Sequence, residues 1–184
     1  MARLLLLNGP PGIGKSTMAT RWANEHPGVL SCDIDVLRSL VGGVDLLAAG
    51  ELIRPAALAM ITAYLESGHD VVLPRLLTRL EELERFERAA RIAGAAFVES
   101  LLMDTEKASI ERFHRRGGPD ADPGSWPARV RAQVAAEGGD DLLADCHRRL
   151  LMLLAARPAT VLVDSVAGDL DGTYRVLVSL VDGS

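Results

Sequence analysis

The sequence predicts an α/β fold, a parallel sheet wrapped by helices, and three observations carry that expectation. Short, nearly all-apolar runs alternate with longer segments of helical period along the 184 residues. The runs lack the polar-apolar alternation of a half-exposed sheet, so they read as strands buried on both faces. They end at a glycine loop, at carboxylates or at a proline, which places turn and ligand chemistry at the strands' carboxyl ends.

Arg3 to Asn8 is the first strand, and it runs into a glycine loop. Lys15 to Glu25 follows as a helix, and Val29 to Asp33 reads as the second strand. A short helix from Val36 to Val41 meets Gly42-Gly43, and a helix from about Glu51 to Ser67 stops at Gly68. Val71-Val72-Leu73 before Pro74 makes the third strand; Leu80 to Ile92 repeats Leu, Phe and Ala at helical spacing. Ala95 to Met103 is the fourth strand and ends at Asp104, and Thr105 to Arg116 is a charged helix. A cluster of turn formers, Gly117 to Gly124, predicts an exposed loop within a lid insertion of about 112–137. Pro127 to Glu137 and Asp141 to Ala155 read as helices, Thr160 to Val163 as the fifth strand and Leu170 to Leu180 as the last helix. The whole is expected to form a single domain.

Composition narrows the functional classes. With 48% hydrophobic and 24% charged residues the chain has an ordinary globular core. Cys32 and Cys146 match no metal-ligand spacing and read as reduced, packed thiols, which favours a cytoplasmic protein. The leucine run near the start is too short for a signal peptide or a membrane span, so no membrane is expected. A net charge of −5 offers no general attraction for a polyanion, which makes a small molecule the favoured partner and a nucleic acid the less favoured one. Nothing in the sequence sets an oligomeric state.

Gly9-Pro10-Pro11-Gly12-Ile13-Gly14-Lys15-Ser16 satisfies G-x-x-x-x-G-K-[ST], after a strand and opening a helix. Backbone N–H groups of such a loop, with the helix N-terminus, cradle a β-phosphate. Lys15 then reaches the β- and γ-phosphate oxygens and Ser16 ligates Mg²⁺. Thr17 stands at the end of the cradle and otherwise reads as a helix-packing residue. The implied cofactors are ATP, with GTP as the alternative, and Mg²⁺.

Phosphoryl transfer to a hydroxyl also needs a group to take the hydroxyl proton and further positive charge. Asp33, Asp35 and Arg38 offer both: Asp33 at the tip of the second strand near Mg²⁺, Asp35 toward the acceptor, Arg38 one helical turn on. The alternative is structural, with Asp35 capping a helix and Arg38 as its i,i+3 partner. Arg112 and Arg116, four apart before the turn cluster, could swing over the phosphates, with Arg115 facing elsewhere. Their alternative is a solvated basic face paired with Glu111 or Asp120. Arg75, after the third strand, is a candidate for acceptor binding, and Arg54 and Arg79 are weaker ones. The acceptor pocket is expected between Leu37 and Ile61, a stretch without an aromatic platform; Trp22 and Phe86 read as core, and Trp126 as an anchor of the lid helix. The four histidines have no mutual metal-ligand spacing.

GPPGIGKST followed by an aspartate after the second strand, with arginine three residues on, resembles the P-loop kinases that include polynucleotide 5′-hydroxyl kinase, chloramphenicol phosphotransferase and shikimate kinase. The resemblance implies a three-layer P-loop NTPase sandwich with strand order 2-3-1-4-5 and a small helical lid. It implies Asp35 as general base, Arg38 as a contact to the acceptor or the transferring phosphate, and Asp33 as the first aspartate of a D-x-D near Mg²⁺. R-x-x-x-R-G resembles a lid entry, which implies Arg116 and then Arg112 in charge stabilisation. The third strand departs from the pattern: Asp70 stands at its start and no aspartate at its end, so Asp33 has to cover the missing carboxylate. The expected activity is transfer of the γ-phosphoryl group of ATP to a hydroxyl of a sugar, nucleoside, antibiotic or related metabolite. The rivals are a polynucleotide 5′-hydroxyl kinase and a non-catalytic ATP-binding switch.

Overall fold

The computed structural model describes residues 1–116 and 125–182. The turn-former cluster at 117–124 and the side chain of Trp126 lie outside the described residues. The elements are β1 (Arg3–Asn8), α1 (Lys15–Glu25), β2 (Leu30–Ser31), α2 (Ile34–Ser39), α3 (Leu46–Glu66), β3 (Val71–Pro74) and α4 (Leu80–Ile92). They continue with β4 (Ala96–Met103), α5 (Glu106–Arg115), α6 (Trp126–Glu137), α7 (Asp140–Ala156), β5 (Val161–Asp164) and α8 (Leu170–Asp182). The strands form one five-stranded parallel sheet in the expected order, β2-β3-β1-β4-β5, with helices around it.

β1 shows why the sequence folds this way. Leu4 to Leu7 are all buried, so both faces of the strand are covered and the run is leucine throughout. β3 pairs with it from Leu4↔Val71 to Leu7↔Pro74. A proline is tolerated at the end of this internal strand for a geometric reason. Arg75 N donates to Leu7 O at 3.0 Å, so the alternation of the strand turns Pro74 toward β2, whose last bond is Cys32 N to Val72 O. The missing N–H therefore faces a side where pairing has already ended.

Several boundaries differ from the sequence expectation. β2 is shorter than Val29 to Asp33, because Asp33 leaves the sheet to cap α2, and α2 therefore opens at Ile34, ahead of Val36. α3 begins five residues before Glu51, where the Asp45 side chain caps it by accepting from Ala48 N at 2.8 Å. α5 ends at Arg115, and Arg116 takes extended backbone angles (φ −68°, ψ 120°).

The chain forms two compact units, residues 1–8 with 15–100 and residues 9–14 with those from 101 onward. In the first, α2 packs on α3 and α3 on α4, with α3 against β3 and α4 against β1, and Trp22 and Ile61 are fully buried. In the second, α7 packs against α5 and α6, and α8 against β5. Among the described residues no helix is long and apolar enough to cross a membrane.

Candidate functional site

Residues 9–14 carry the glycine loop. Gly9 has φ +147°, and a Cβ there would stand 2.4 Å from the Leu102 carbonyl oxygen, so only glycine permits this approach to β4. Gly12 has φ +82° and passes the Phe113 backbone closely enough that a Cβ would sit at 3.1 Å. Backbone of this kind can turn successive N–H groups to one side, the arrangement a phosphate needs. Pro10 is buried, Pro11 and Gly14 are half-buried, and Ile13 is buried, so Ile13 contributes main chain alone.

The Ile13 carbonyl accepts from Arg112 Nη2 at 2.7 Å and from Ser165 Oγ at 3.2 Å. Arg112 Nη1 donates to the Ser165 carbonyl at 2.7 Å and to Asp104 Oδ2 at 3.3 Å. With a side chain only 12% exposed, Arg112 fastens the loop to the ends of β4 and β5. That differs from the swinging lid arginine expected from spacing. Gly12, Arg112, Arg115, Arg116, Ala167 and Gly168 line an open recess of about 460 Å³. Arg115 thus joins the recess that it was expected to face away from, because the helix ends at Arg115 and the i,i+4 face does not continue to Arg116. Neither Arg112 nor Arg116 pairs with Glu111 in the structure; Arg112 pairs with Asp104, and Asp120 lies outside the described residues. The Ser165–Gly168 turn was missed from sequence, although a small-residue turn directly after a strand was its signal.

The first unit holds the rest of the motif at the start of α1, where Lys15 is half-buried and Ser16 exposed. Thr17 is exposed too, so it is not a packing residue, and it lines an open groove with Ser16. Ser16 Oγ donates to Asp33 Oδ2 at 2.7 Å, while Asp33 Oδ1 accepts from Asp35 N at 3.0 Å. The cap of α2 is therefore Asp33 and not Asp35. Asp35, inside the first turn, presents Oδ1 to Arg75 Nη1 at 2.9 Å and to Arg38 Nη1 at 3.3 Å. The two guanidiniums are mostly buried, at 17% and 13% exposed, and the carboxylate is 41% exposed. Arg38 lies across Gly50 of α3, where a Cβ would be 3.3 Å from its Nε. A glycine inside a helix costs about 1 kcal/mol relative to alanine, and here its missing side chain makes room for the arginine.

Ser16 and Asp33 are hard oxygen donors and suit Mg²⁺, which takes one or two protein ligands together with substrate phosphates. Cys32, just before Asp33, is buried, and that burial with the Asp33 charge pushes its thiol up to about 11. A cavity beside Asp35 is walled by Ile34, Pro55, Leu58, Leu77 and Phe86. Only part of that wall falls within the expected stretch 37–61, and it includes an aromatic residue that sequence reading assigned to the core.

A family model described as an AAA domain matches residues 4–137. No curated protein matches the sequence significantly. Among solved structures, the tunicamycin resistance protein of Deinococcus radiodurans is 17% identical with a TM-score of 0.61, covering 98% of this chain and 96% of that one. A gluconokinase from Sinorhizobium meliloti 1021 is 20% identical with a TM-score of 0.56, covering 97% and 93%. At these identities the structures speak for the fold. The chain therefore belongs to the AAA domain family, and its fold is that of the P-loop kinase-like proteins.

Proposed function

We propose that the protein is a kinase that moves the γ-phosphoryl group of ATP to an alcohol of a small molecule. The observation that supports it best is the hydrogen-bonded relay from Ser16 through Asp33 to the backbone of Asp35, which ties the start of α1 to a solvent-facing carboxylate.

In this reading the recess at Gly12, Arg115, Arg116, Ala167 and Gly168 receives the nucleotide, with Arg112 holding the loop in shape. Lys15 follows the γ-phosphate, and Arg38 and Arg116 add charge where it develops. Ser16 and Asp33 would hold Mg²⁺, which when bound would supply positive charge against the phosphates. Among the described residues Asp35 Oδ2 accepts no hydrogen bond, which leaves it to take the proton of the acceptor hydroxyl. The hydroxyl oxygen forms the new P–O bond as the bond to the β–γ bridging oxygen breaks and the nucleoside diphosphate leaves. Arg75 and Arg38 hold the carboxylate while it works.

The test is ATP turnover of wild type and Asp35→Asn against sugars, nucleosides, hydroxylated antibiotics and 5′-hydroxyl oligonucleotides, with product detected by mass. Phosphate transfer by wild type and a loss of about 10²–10⁴-fold in Asp35→Asn, at unchanged ATP affinity, is expected. Transfer to oligonucleotides alone would move the rival kinase ahead. ATP binding with no responsive acceptor would favour the switch.

A further inference from the structure

The cavity beside Asp35 has a chemistry of its own. Its volume is about 170 Å³, and its wall is formed by Ile34, Pro55, Leu58, Leu77 and Phe86. An apolar cavity of about 150 Å³ is known to hold a benzene molecule, so one six-membered ring is the right size. These side chains offer no partner to a hydroxyl, and a buried hydroxyl without one is disfavoured by about 1–3 kcal/mol. A ring with an apolar face therefore suits this part of the lining better than one hydroxylated all round.

Charged side chains complete the lining. Arg54, Arg75, Arg85 and Glu82 also line the cavity. Glu82 is engaged by Arg79, and Arg75 by Asp35. Among the described residues Arg54 pairs with Glu51 alone, which is 71% exposed and well screened by solvent. Arg85 makes no hydrogen bond or ion pair among the described residues. Two guanidiniums with little to neutralise them beside an apolar ring seat favour an anion, and a carboxylate matches their fork. The alcohol end is set by Arg75, which lines the cavity while holding Asp35, and by Ile34, the neighbour of Asp35 in the chain.

We infer that the acceptor is a single-ring carboxylic acid with an otherwise apolar ring and one reactive hydroxyl, the ring lying in this cavity and the carboxylate against Arg85 and Arg54. The inference rests on the kinase reading for the transfer step and on the cavity alone for binding. Phosphorylation consumes the alcohol and ATP and yields the phosphate monoester, the nucleoside diphosphate and a proton taken by Asp35.

The probes are 4-(hydroxymethyl)benzoate, benzyl alcohol, gluconate and adenosine, each titrated calorimetrically into wild type, Arg85→Gln and Leu58→Trp, then assayed with MgATP for a phosphorylated product. The hydroxymethylbenzoate is expected to bind about tenfold more tightly than benzyl alcohol, with the preference lost in Arg85→Gln and both ring compounds lost in Leu58→Trp. ATP titration checks that each variant is folded, and Arg85→Gln changes an exposed residue that folding does not need. Equal binding of the two ring compounds, or a preference that survives Arg85→Gln, overturns the anion assignment. Phosphorylation of gluconate or adenosine with no ring compound bound overturns the inference and leaves the kinase reading standing. Ring binding lost in Leu58→Trp but no phosphate transferred to any probe retains the cavity's ligand class and overturns the kinase reading instead.

Discussion

In the proposed mechanism Asp35 and Lys15 meet opposite halves of one chemical demand, the first accepting a proton while the second remains a cation beside developing negative charge. Lys15→Ala should therefore lower kcat/KM by several orders of magnitude, because about 1.4 kcal/mol of lost transition-state stabilisation is tenfold in rate. Steady-state kinetics at saturating acceptor is the check, and turnover near wild type would remove the phosphate loop from the mechanism. Cys32 gives a second expectation at this scale, through pH. Its thiol is raised from 9.0 to about 11 by burial and by Asp33, so the folded state disfavours the thiolate. The resulting stability is fully present below pH 9 and is lost as the pH rises toward 11, to the extent of about 2–3 kcal/mol. Urea midpoints for wild type should fall over that window, and those of Cys32→Ala should fall less.

Elements place those residues. α2 starts two residues ahead of its expected position because Asp33 caps it, and this start turns Asp35 toward Arg38 and Arg75. α3 then supplies Gly50 as the floor under Arg38. In Gly50→Ala the helix gains about 1 kcal/mol of propensity while the arginine must give way by a few tenths of an ångström. The expected result is a melting temperature within a few degrees of wild type and a clearly reduced kcat. Melting curves measured beside kcat decide it: a variant with full activity would show that Arg38 does not need its place over α3. α5 makes the complementary point, since its end at Arg115 sets which arginines reach the recess.

For the molecule as a whole, the sheet order and the family membership explain why the proposed binding residues follow strand ends. A nucleotide bound only by the folded state should stabilise it with the logarithm of the nucleotide concentration, by about 2.7 kcal/mol at 100 times its Kd, and raise the melting temperature accordingly. Removing Mg²⁺ with a chelator should cancel most of that rise for ATP, because Ser16 and Asp33 then hold no ion against the phosphates. Scanning calorimetry with ATP, with MgATP and with MgATP plus chelator measures this. An equal rise with and without the metal would separate Ser16 and Asp33 from nucleotide binding.

Local pattern was enough for the strands, for most helices and for the glycine loop, because burial period, caps and Gly φ preferences act within a few residues. The leucines of β1, the G-x-x-x-x-G-K-S run and the D-x-x-R spacing could each be read from neighbours in the chain. The contact of Arg75 with Asp35 spans 40 residues and that of Arg112 with Ile13 spans 99, so both depended on how strands are ordered in the sheet. The same holds for Phe86 as a wall of the cavity and for Ala167 and Gly168 in the recess. Periodicity reports that a side chain is turned inward; it carries no information about which distant residue will meet it there. Folding alone brought those partners together.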